Sequence, residues 1–113
     1  MRNTPAGTWT AQVARPRETT LSTLRFTAGG RALLVSGGVG GGTWHSTGPG
    51  TFTYRIAEPL FDSEGAYRGW VDIEQNAEQN GDSFTSAGSS RVHDAGDTLL
   101  YEARVGAVAR RSG

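Results

Sequence analysis

Side chains that could do chemistry in this chain are mostly aromatic. Trp44-His45 is followed within a few residues by Phe52-x-Tyr54-x-Ile56, and a further phenol stands at Tyr101. Tyr54 and Tyr101 are the candidate catalytic groups, because a phenol hydroxyl can donate a hydrogen bond and polarise a carbonyl. Trp44, Phe52, Ile56, Val71 and Ile73 are the candidate ligand-binding wall. The second-choice polar groups are Arg55, Glu74, Glu102 and Arg104. Pointing inward, a Glu beside an Arg would form an acid or orienting pair, since a buried charge needs a partner. Pointing outward, the same residues are a solvated face.

Other chemistries find no support. Cysteine is absent, which removes disulfides, thiolate metal sites and thiol nucleophiles. His45 and His93 lie far apart, with no HxH, HExxH or Asp-rich loop, so no metal and no cofactor are expected. There is no Gly-x-Ser-x-Gly, and the glycines of 37–42 precede neither a Lys-Ser/Thr pair nor a helix, so they form no phosphate loop. Eleven basic residues, all Arg, balance eleven acidic ones. That balance offers no basic face for nucleic acid. The all-Arg usage, with abundant Ala and Gly, points to a GC-rich bacterial coding sequence. No apolar run approaches the roughly 20 residues of a membrane helix, and the first ten residues lack a signal-peptide pattern. A soluble, cytoplasmic protein is expected.

Alternation identifies the elements that must position these groups. Phe52, Tyr54 and Ile56 interleave with Thr51, Thr53 and Arg55, while Val71, Ile73 and Gln75 interleave with Trp70, Asp72 and Glu74. Leu99, Tyr101, Ala103, Val105 and Ala107 share a face opposite Glu102 and Arg104. Period 2 is the mark of a half-buried strand. Turn-forming clusters such as Gly48-Pro49-Gly50 and Asn80-Gly81-Asp82 separate these runs. Strands are predicted at 7–13, 21–27, 31–36, 42–47, 51–58, 67–78, 83–93 and 98–109. The fold class is therefore all-β, one domain over 1–113, with an antiparallel up-and-down meander closed into an about eight-stranded barrel. Sequential hairpins favour a barrel over a sandwich, as do the strand-interior glycines Gly69, Gly88 and Gly106. The glycine-rich stretch 37–42 is either a wide loop at the barrel mouth, with Trp44 gating beyond it, or a strand bend. Phe52, Tyr54, Ile56, Val71 and Ile73 should face inward, and Thr53, Arg55, Asp72 and Glu74 outward.

Gly7-x-Trp9 on the first strand, followed by a meander of short strands, resembles the calycin group of barrels, which includes lipocalins, avidins and fatty-acid-binding proteins. The resemblance implies that Trp9 plugs one end. Small cofactor-free cyclases and allene-oxide-cyclase-like barrels are similar in size and architecture. An eight-stranded barrel is either filled by side chains or holds one small ligand. The function expected is the holding of an apolar or aromatic small molecule, with cyclisation or isomerisation by shape as the enzymatic form. A non-catalytic lipophilic carrier, or a homo-oligomeric structural barrel with a solid core, is the alternative. Expected partners are that small molecule and, as an oligomeric state, a homodimer, with no nucleic acid and no membrane.

Overall fold

A computed structural model describes residues 4–112. It contains β1 (Gly7–Ala14), β2 (Thr19–Phe26), β3 (Arg31–Ser36), β4 (Gly40–Gly48), β5 (Thr51–Phe61), β6 (Tyr67–Asn80), β7 (Ser83–Asp94) and β8 (Leu99–Arg111). Each strand pairs antiparallel with the next, and β8 pairs with β1, closing the barrel in sequence order. The described residues include no helix. All eight strands fall where alternation predicts them.

The stretch 37–42 is divided rather than being one loop. Only 37–39 connects strands; Gly40, Gly41 and Gly42 already pair with β3, and Gly41 and Gly42 also with β5. A Cβ at Gly42 would run into the carbonyl oxygen of Arg55. The same collision with a neighbouring strand's carbonyl occurs at Gly69 and Gly88, whereas Gly106 has room. Glycine at the three crowded positions lets adjacent backbones approach where the sheet coils sharply.

The inward set on β5 and β6 is the predicted one. Phe52, Tyr54, Ile56 and Val71 are buried and Ile73 is half-buried against the core. Asp72 and Glu74 take the outer face, but Asp72 departs from the expectation of a solvated position, being only 6% exposed. Its carboxylate lies under two arginines. Arg55 Nε and Nη2 donate to its two oxygens at 2.9 and 2.7 Å, and Arg91 stands 3.8 Å away.

One end of the barrel is solid. Trp9 is fully buried there, with its indole N–H donating to the Pro5 carbonyl at 2.8 Å. Phe84 meets it edge-on at 4.8 Å, and the Arg111 guanidinium covers the ring at 4.4 Å. Phe26 and Phe52 complete the plug at 5.5 Å from one another. Burying an aromatic ring of this size contributes about 2–3 kcal/mol. The end-plugging role expected of Trp9 is the one it has.

The other end is open because the strands are unequal. β5 to β8 run 11 to 14 residues, while β1 to β4 run 6 to 9. Pairing of β4 with β5 reaches no further than Ala57, and pairing of β1 with β8 no further than Gly106. Residues 58–61 of β5 and 99–105 of β8 therefore have a neighbour on one side only. The four long strands overhang the barrel as a curved sheet whose inner face is uncovered.

Candidate functional site

Behind the overhang, the lumen is unfilled. A cavity of about 40 Å³ is walled by aliphatic side chains, among them Leu24, Leu34, Ile56, Ile73 and Val105. It has room for a few waters, since one water needs about 10–15 Å³. Outside it, a vestibule of about 830 Å³, open to solvent, lies between the inner face of the overhang and the β1–β2 connection. Arg15, Glu58, Ser90 and Val105 line both spaces, so they form the neck between them.

Tyr54 stands at the inner end of the cavity beside its cross-strand neighbour Gln75. Its hydroxyl lies 3.1 Å from Ser86 Oγ, Ser86 Oγ donates to Gln75 Oε1 at 2.8 Å, and Gln75 Nε2 donates to the Val105 carbonyl at 3.0 Å. The direction of this chain follows from counting protons. A backbone carbonyl only accepts, which fixes the Gln75 amide; its oxygen then requires the one proton of Ser86. Tyr54 must be the donor to Ser86, leaving its oxygen lone pairs free to accept. Burial pushes the Tyr54 hydroxyl up to about 12. The single proton of this phenol is thus engaged and tightly held, unlike the carbonyl-polarising group that residue type alone suggests.

Glu58 sits at the neck, half-buried, one alternation beyond Phe52, Tyr54 and Ile56 on the same face of β5. It faces Val71 across the sheet. Gly38 (φ 133°) makes room for it: a Cβ there would fall 2.5 Å from Glu58 Oε2 and 2.9 Å from Leu34 Cδ2. Burial raises the Glu58 carboxyl above its ordinary value, and the charge of Arg15 partly offsets this. Arg15 closes the opposite side of the neck and is itself held by Thr20 Oγ1 at 3.4 Å from its Nε.

The structure divides the residues singled out from the sequence. Ile56, Ile73 and Tyr54 line the cavity, and Val71 and Tyr101 line the vestibule. Tyr101 has the inward parity of β8 but is 60% exposed, because β8 has no outer partner at that height. The two candidate phenols therefore occupy different compartments. Phe52 is part of the solid plug and touches neither space. Trp44 likewise points away from the mouth. It packs on Phe52 at 6.3 Å, and its indole N–H donates to the Thr27 carbonyl in the turn at the plugged end. The opening is indeed at the end carrying the 37–39 connection, but Trp44 does not gate it, because β4 runs from that end toward the plug.

Arg55, Glu74 and Arg104 stand on the outer wall, and Glu102 stands at the edge of the vestibule. Arg91 links Asp72, Glu74 and Glu102 at 3.4 to 3.8 Å. The hydrogen bond from Arg55, opposed by desolvation, holds the Asp72 carboxyl below its ordinary value. This is a ladder of ions across β5 to β8 rather than an acid–base pair in the lumen. Among the described residues, no three His, Cys, Asp or Glu side chains gather as metal ligands, and no helix is long and apolar enough to cross a membrane.

Arg15, Glu58, Ser22, Gln75 and Ser90 are the polar lining that residue type had not singled out. Parity was the signal that could have found them. Arg15 continues the Trp9, Ala11, Val13 series, and Ser90 continues the series of Phe84, Ser86 and Gly88. Compared with protein-family models, with curated proteins and with solved structures, the chain gives no significant match.

Proposed function

We propose that this protein is a calycin-like barrel that binds an apolar or aromatic small molecule through its open end. The observation carrying this reading is the half-filled lumen, packed solid around Trp9 but holding, between Tyr54 and the neck, a small cavity that shares Arg15, Glu58, Ser90 and Val105 with the vestibule. Apolar walls with a few convergent polar groups are the usual make-up of a small-molecule site. The cavity takes the tip of a guest, and the vestibule takes its body. A solid structural barrel is disfavoured by the same hollow.

Fluorescence of the uncharged dye N-phenyl-1-naphthylamine tests the reading. The dye should brighten with the native protein and much less with Ala103→Trp, whose indole projects into the vestibule. Trp44→Phe, remote from both spaces, should leave its affinity unchanged. No brightening with native protein, or full binding by Ala103→Trp, refutes the proposal.

A cofactor-free cyclase or isomerase is the second reading, favoured by Glu58. A carboxyl raised by burial at the neck of a ligand cavity suits proton transfer. Glu58, rather than Tyr54 or Tyr101, is then the group whose neutral replacement Glu58→Gln should abolish turnover while sparing dye binding. Retained turnover in that variant removes the reading.

A further inference from the structure

We propose that the guest is a lipophilic amine, whose ammonium group is read by Glu58 at the neck of the barrel. The inference rests on the ligand-binding reading above and specifies its ligand class. Three observations converge on a guest that donates hydrogen bonds and carries positive charge.

The first is the placement of Glu58. Its carboxyl lies on the lumen side of β5 among Leu34, Ile56 and Val71, where the described residues give it no ion-pair partner within 4.0 Å. On the cavity side the groups around it are apolar or neutral apart from Arg15, and on the vestibule side the charged lining adds Arg17, Glu18 and Glu102. An ammonium seated against this carboxyl would form a charge-assisted hydrogen bond, a stronger kind than a neutral donor offers.

The second is the polarity at the inner end. Because Ser86 gives its proton to Gln75, Tyr54 gives its own to Ser86, and the Tyr54 oxygen is left able to accept. The remaining N–H of the Gln75 amide is the one fixed donor beside it, while Ser22 and Ser90 can serve either way.

The third is the distribution of charge along the barrel. Of the four connections at the open end, 62–66 and 95–98 with the strand ends beside them carry Asp62, Glu64, Asp94 and Asp97 against Arg68, while the β1–β2 connection carries Arg15 and Arg17 against Glu18. At the plugged end Arg25, Arg31, Arg110 and Arg111 outnumber Glu78 and Asp82. A negative rim above low-dielectric walls focuses its field into the opening and concentrates cations there. Within the vestibule, Arg15 and Arg17 face Glu18 and Glu58, and Glu102 at its edge is paired with Arg91, so the rim acids set the sign of the field that a guest meets.

The test is displacement of N-phenyl-1-naphthylamine from the native protein at pH 7.5 by octylamine, octanol and octanoate, which share one tail. Octylamine should compete at least about tenfold more tightly than octanol, with octanoate weakest. Glu58→Gln should bring octylamine and octanol to within about twofold of one another. Equal binding of octylamine and octanol by native protein overturns the inference without any variant. Preference for octanoate also overturns it and assigns the reading to Arg15. An amine preference that survives in Glu58→Gln overturns the role of that residue. If the dye does not bind at all, the ligand-site reading itself fails; dye and octanol binding without amine preference defeats this inference alone.

Discussion

Tyr54 should make the stability of this barrel cross that of its own phenylalanine variant in alkali. At neutral pH, Tyr54→Phe removes one buried hydrogen bond but orphans no donor, because Ser86 keeps its proton on Gln75. A cost of about 1 kcal/mol is expected. In the folded protein the hydroxyl is raised from 10.0 to about 12. Between those values the folded state holds a proton that the unfolded chain has lost, so stability falls as pH rises. The contribution is fully present below pH 10 and is lost through pH 12. A shift of two pH units amounts to about 3 kcal/mol in full, of which about 1.4 kcal/mol is lost by pH 11. Native protein and Tyr54→Phe should therefore be equally stable at about pH 10.7, with the variant ahead at pH 11. Tyr67 and Tyr101 are common to both and cancel. Urea unfolding at pH 7, 9, 10, 10.5 and 11 gives the comparison, with far-ultraviolet dichroism confirming the strand fold. A stability difference that stays constant from pH 7 to 11 would show that Tyr54 does not titrate from a buried, proton-donating state. A Tyr54→Phe cost well above that of Ser86→Ala would refute the assigned direction of the chain, since losing Ser86 orphans two groups.

The other predictions concern the neck, the outer ladder and the plug. Glu58→Gln should raise stability at pH 7, because burial disfavours the charged carboxyl, and the gain should vanish below the ordinary carboxylate range; denaturant midpoints at pH 7 and pH 3 check this. Asp72→Asn should cost about 1 kcal/mol at pH 7, a modest sum because the Arg55 side chain is 61% exposed and screened. That contribution is present above the unfolded carboxyl value and lost as pH falls through the lowered folded one, so the native and variant acid-unfolding curves should converge below pH 4. Trp9→Ala should cost about 3–5 kcal/mol by emptying the plug, measured as a fall in the urea midpoint, and a loss under 1 kcal/mol would contradict the packing described.

The sequence by itself determined the strands, their order and the face each side chain takes. Phe52, Tyr54 and Ile56 alternate with Thr53 and Arg55 whatever the neighbours are, because the pleat sends successive side chains to opposite sides. Short turns between consecutive runs left the meander as the simplest connection. Parity even held information left unread, since Glu58 and Arg15 continue inward-facing series beyond the point where hydrophobicity stops. What alternation cannot convey is depth. Tyr54 and Tyr101 both have inward parity, but one lies at the end of a cavity and the other on an open sheet. Phe52, two residues from Tyr54, belongs to a solid plug, and Trp44 belongs to the plugged half rather than the mouth. Only closure decided this. The stagger between strands sets which residues share a level in a barrel, and here it leaves β5 to β8 extending past β1 to β4. The cavity in the lumen, the half-buried carboxylate at its neck and the exposed Tyr101 are all consequences of that mismatch in length.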